Sequence, residues 1–157
     1  MKKIAIAAAF VAAAAATTAH AQTADQTVGF DVQAISQIAF TGSPDLVINA
    51  ATAGSAPTSA TGSATYAITT NELNQKVTAQ LDQAMPSGVT LSVVLAAPTG
   101  GTSTGTVALG TSAQDVVTDI ATVNESGLSV GYTLAATSAA GVVNGSRTVT
   151  YTITAGV

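Results

Sequence analysis

The sequence predicts an all-β fold, a two-layer antiparallel sandwich with little or no helix. Apolar residues recur at every second position in run after run, the spacing of half-buried strands. The runs are rich in Val, Ile, Leu and Thr and are separated by Gly, Pro, Ser and Asn. Hydrophobic residues make up 47% of the chain and charged residues 8%, the reverse of a disordered composition, so the chain has material for a core. Aromatics are only 4%, which makes that core one of small and β-branched side chains.

The chain opens with a different pattern. Lys2 and Lys3 precede an apolar run from Ile4 to Ala16, and Ala19-His20-Ala21 puts small residues where a signal peptidase reads. This is the layout of a bacterial secretory leader cleaved after Ala21. Residues 1–21 are therefore expected to be removed, leaving residues 22–157 as one β-sandwich domain. The apolar run is shorter than the about 20 residues that span a bilayer. No cysteine follows it to carry a lipid, and no apolar tail closes the chain. The expected product has no integral membrane segment and resides in the periplasm, outside the cell or on its surface.

The strands follow in order. Residues 27–35 alternate Val28, Phe30, Val32 and Ala34 against Gly29, Asp31 and Gln33, predicting a first strand. After Ile35 the phase shifts to Ile38 and Phe40, which predicts a bend or bulge. Gly42-Ser43-Pro44 is a turn, followed by a short strand Leu46-Val47-Ile48 and a polar loop over 50–63. Residues 64–70 form a strand with Tyr66 and Ile68 on one face. Asn71 to Asn74 turn the chain into 75–82, where Val77, Ala79 and Leu81 alternate. Met85-Pro86-Ser87-Gly88 is a turn suited to the fixed φ of proline. Residues 89–96 carry the cleanest alternation: Val89, Leu91, Val93 and Leu95.

Residues 98–105 predict a hairpin-type connection to a short strand at 106–109. Residues 114–123 predict a strand, although Val116, Val117 and Ile120 also suit a short helix capped by Ser112. Gly127 opens a strand with Leu128, Val130, Tyr132 and Leu134 in line. Asn144-Gly145 is a turn signal, and Val149, Tyr151 and Ile153 align on the last strand. Eight or nine short strands at this spacing imply an immunoglobulin-like sandwich, with a small barrel as the alternative.

Composition removes most chemistry. His20, the only histidine, falls in the leader, and there is no cysteine, so histidine- and thiol-based catalysis lose their groups. Zinc, haem and iron–sulfur centres lose their usual ligands with them. No cofactor, metal site or catalytic residue is expected. Removing Lys2 and Lys3 takes the net charge from −4 to −6, with Lys76 and Arg147 the remaining cations. Such a chain cannot neutralise a run of phosphates, which argues against nucleic acid as a partner.

Asp115 and Asp119 are the nearest pair for a carboxylate-only hydrolase, but the chain has no tryptophan and three tyrosines with which to stack a sugar. Asp115, Asp119 and Glu125 are too spread, with apolar residues between, for a calcium loop. The glycine-rich stretch Gly100 to Gly105 has no lysine for a phosphate loop. Tyr66, Tyr132 and Tyr151 sit in strand registers and are expected in the core, each hydroxyl reaching an edge.

What remains is surface. The alternating segment Thr27-Val28-Gly29-Phe30-Asp31-Val32-Gln33-Ala34-Ile35 can pair in its own sheet or complete a neighbour's by β-strand addition. Together with a terminal strand from Arg147 to Thr154 and the stretch from Thr70 to Ala79, this layout resembles the major pilins of chaperone–usher fimbriae. The chain lacks the cysteine pair of the disulfide-bearing branch and closes on Ala155-Gly156-Val157. The resemblance implies a secreted, non-enzymatic structural or adhesive subunit that associates with itself or with another cell-surface protein. Val28, Phe30, Val32 and Ala34 would be the donor side chains, and Val149, Tyr151 and Ile153 would line the acceptor groove. A self-contained module binding carbohydrate or protein through its loops is the alternative.

Overall fold

The computed structural model describes residues 21–156. The expected leader and its cleavage signal lie outside these residues, except for Ala21. The described residues fall into two units, 21–32 and 33–156.

The second unit is nearly all β. Its strands are β1 (Ser36–Thr41), β2 (Ala60–Thr70), β3 (Gln75–Leu81), β4 (Val89–Leu95), β5 (Thr102–Ser103), β6 (Val107–Ala108), β7 (Gln114–Ile120), β8 (Val123–Ala136) and β9 (Val149–Ala155). One 3-10 turn, Ser138–Ala140, interrupts them. The strands form two antiparallel sheets, ordered β1-β2-β8-β4-β6 and β5-β7-β3-β9. The alternation places Tyr66, Ile68, Val93, Leu95 and Val130 on the inner face of the first sheet. Val77, Ala79, Leu81, Val116, Val117 and Ile120 occupy the inner face of the second, and all belong to one buried cluster. Among the described residues no helix is long and apolar enough to cross a membrane.

Two expectations need correction. The strand expected over 27–35 is not formed: residues 21–35 adopt no regular structure, and β1 begins at Ser36, where the shifted phase of Ile38 and Phe40 sets in. The strand expected at 46–48 is likewise absent. Instead this loop packs Pro44 and Leu46 over Gly62 of β2. A Cβ at Gly62 would stand 2.6 Å from Pro44 Cβ and 2.8 Å from Leu46 Cδ2, so the missing side chain makes room for the loop.

The ambiguous segment is a strand over Gln114–Ile120, not a helix, and the expected end at 123 is corrected, since Val123 already opens β8. The register of β7 against β3 slips twice, between Gln75 and Val77 and between Val77 and Thr78. These bulges turn Val116 and Val117 both inward, fully buried, which explains why the sequence there breaks period two. Asp119, beside the first slip, takes a φ of 59°. A third irregularity, between Tyr66 and Ile68 on β2, faces Gly127 of β8, whose φ of 72° suits glycine.

Candidate functional site

The sandwich has two sides where sheet edges meet. On one, residues 98–110 wrap across both sheets. Thr104 N–H donates to Val116 O at 3.2 Å, and its hydroxyl donates to Asp115 O at 2.9 Å, on the β7 side. Ser103 Oγ donates to Leu95 O at 2.6 Å, and Leu109 N–H to Leu91 O at 2.8 Å, on the β4 side. The strands at these edges, β5 and β6, are two residues each.

The other side is formed by β1 and β9. Among the described residues β1 pairs only with β2, and β9 only with β3. β9 therefore presents a seven-residue free edge. Its inward residues Val149, Tyr151 and Ile153 are half-buried against the core, unlike the fully buried inward residues of the neighbouring β3. Ile38 and Phe40 of β1 are half-buried in the same way. The Phe40 ring bridges the two edges, stacking on Tyr151 with centroids 3.9 Å apart and on Tyr66 at 5.5 Å.

Behind this stack lies a tyrosine network. The Tyr132 and Tyr151 hydroxyls share a hydrogen bond of 2.8 Å, and Tyr66 donates to Ala96 O. Burial, with the Tyr132 hydroxyl adding to it, holds the Tyr151 phenol above the usual tyrosine range. Burial, with the Glu125 carboxylate adding to it, pushes Tyr66 up to about 12. Tyr66 and Tyr151 are therefore neutral at physiological pH, so neither puts a charge on this wall of the sandwich.

The candidate residues divide between the units. Val149, Tyr151 and Ile153 come together on β9, each on the inner face. Val28, Phe30 and Val32 belong to the first unit, where they are 75%, 94% and 76% exposed. Ala34 is exposed at the start of the second. Asp115 and Asp119 line one shallow surface depression with Asn74, Lys76, Thr118 and Gly156. There Lys76 Nζ pairs with Asp115 at 3.1 Å, while Thr118 Oγ1 donates to Asp119 at 2.8 Å. Among the described residues no three His, Cys, Asp or Glu side chains gather as a metal site.

Sequence reasoning missed two contributors. Phe40 was legible as an inward residue of its strand, but its stack on Tyr151 joins positions over a hundred residues apart. Asn71 was legible only as a turn residue, yet its side chain holds the chain just before β1. Comparison of the chain with protein-family models, curated proteins and solved structures finds no match.

Proposed function

We propose that this chain is a secreted, non-enzymatic structural subunit of a bacterial surface, assembling by β-strand addition much as fimbrial pilins do. The observation that carries this reading is the free β9 edge, with its row of half-buried Val149, Tyr151 and Ile153. A strand laid along it satisfies the unpaired backbone groups and covers those side chains. The fitting occupant is residues 27–32 of another copy. Val28, Phe30 and Val32 recur at the spacing of one strand face and are largely exposed, a costly arrangement for a Phe and two Val unless a partner covers them. No charged side chain guards the β9 edge, since Val149-Thr150-Tyr151-Thr152-Ile153-Thr154-Ala155 is wholly neutral.

The test compares residues 22–157 with a version lacking 22–32, by sedimentation velocity across a hundredfold range of concentration. The full chain is expected to form concentration-dependent multimers and the truncation to stay monomeric. A synthetic peptide of residues 22–34 should bind the truncation in one-to-one ratio. A full chain that remains monomeric throughout, with no uptake of peptide, contradicts the reading.

A further inference from the structure

Strand addition requires that the arm serve a neighbour rather than fold back on its own β9, and the end of β2 holds a device for this. Resting on the assembly reading above, we propose that Asn71 is a positioning residue that keeps the arm from closing on its own sandwich.

Antiparallel pairing of β2 with β1 runs to Ser36 opposite Thr70, after which residues 71–74 turn away toward β3. Residues 33–35 would lose their partner at that point. Asn71 supplies one instead. Its own N–H donates to Ile35 O at 3.1 Å. Its side-chain Oδ1 accepts from Ile35 N–H at 2.7 Å, and its Nδ2 donates to Gln33 O at 2.8 Å. The carbonyl of residue 33 and the N–H of residue 35 point the same way only when residue 34 is extended. The amide thus acts as one further rung of the ladder and holds residues 33–35 straight. Glu72 and Thr70 add hydrogen bonds to the Ser36 hydroxyl, at 2.8 and 2.9 Å.

The straight segment 33–35 limits where the arm can reach. The register puts the start of β1, the end of β2, the start of β3 and the end of β9 at the same end of the sandwich. To lie along its own β9, the arm must reverse upstream of Gln33 and cross from one sheet to the other. Packed sheets stand about 10 Å apart, which at about 3.3 Å per residue takes roughly three residues. Those three are Asp31, Val32 and Phe30, two of the three side chains that would fill the groove. A neighbour's β9 imposes no such reversal. With the clasp released, residues 33–35 can make the turn, and the apolar set becomes available to its own chain.

The chain has no cysteine, so an introduced pair reports without background. Gly29→Cys lies on the polar face of the arm, where an added Cβ meets nothing within 4 Å, and Thr152→Cys lies on the exposed face of β9. Treated with a short bis-maleimide, the full chain carrying both is expected to cross-link between chains, giving a ladder. Adding Asn71→Ala should raise the share of within-chain product at least threefold. As a second variant that leaves the clasp intact, a Gly-Asn-Gly insertion between Val32 and Gln33 should do the same by lengthening the arm. An unchanged ratio with Asn71→Ala overturns the role of Asn71, whatever the insertion does, while interchain ladders still support assembly. Absence of any cross-link between arm and β9, in every background, overturns the assembly reading together with this one.

Discussion

On one side of the sandwich the edge strands are β5 and β6, two residues each, and a thirteen-residue wrap over 98–110 bonds to the strands behind them. On the other side they are β1 and β9, six and seven residues, bridged by a single aromatic stack. Both sides cover the same core, built from the same small and β-branched residues. They differ in backbone. The wrap uses hydroxyls of Ser103 and Thr104 to occupy carbonyls, and its strands are too short to template a partner. Among the described residues β9 has no strand on its outer side, over a length suited to a whole strand. On the proposed reading, the long and uncharged side is the place for strand addition.

That contrast can be broken from either side. The largest expected effect is on the open side. Phe30→Ala should weaken assembly roughly 100-fold, since truncating a phenyl ring that becomes buried costs about 3 kcal/mol. The same variant should leave the thermal midpoint of the dilute monomer unchanged, because Phe30 is 94% exposed there. Sedimentation and a melting curve on one sample separate the two. An equal loss in both would assign Phe30 to its own sandwich.

Next is pH, which probes the tyrosine wall behind the open side. Tyr66 is raised to about 12 and Tyr151 is raised as well, whereas unfolded tyrosines titrate near 10. Between these values the unfolded chain has lost protons that the folded chain still holds, so stability must fall as pH rises. Urea midpoints should be insensitive to these groups below pH 10 and decline from pH 10 through about 12. Tyr66→Phe and Tyr151→Phe should each shallow that decline.

On the closed side, Ser103→Ala leaves the Leu95 carbonyl without its 2.6 Å partner. A loss of about 1 to 2 kcal/mol is expected in urea titration, with assembly unaffected. The smallest effect should come from Lys76→Met. Its pair with Asp115 is a cross-strand surface contact with the carboxylate 44% exposed, worth less than about 1 kcal/mol.

How much of this was legible depended on whether a residue's role is local. Val77, Ala79 and Leu81, or Leu91, Val93 and Leu95, declare their strand and face by period two alone, and the structure agrees. Val116-Val117 obscured theirs because a bulge, which depends on the partner strand, turns two neighbours inward. The segment around Val28, Phe30 and Val32 alternates as cleanly as any strand. Alternation says which side chains share a face, but not whether an edge is present to receive them, and no strand forms there. Leu46 was hidden for a similar reason: its place over Gly62 follows from a close approach between distant segments. Asn71 carried the common signature of a turn, and its second use emerges only where β2 diverges from β1.

The central claim is that β9 is the receiving edge. Hydrogen–deuterium exchange tests it directly on the intact chain, once at a dilution where it is monomeric and once where it is assembled. Amides of residues 149–155 and of the arm, 27–32, are expected to gain at least tenfold protection on assembly, while those of 98–110 do not change. Protection arising at 98–110, or assembly with residues 149–155 exchanging as fast as in the monomer, would contradict it.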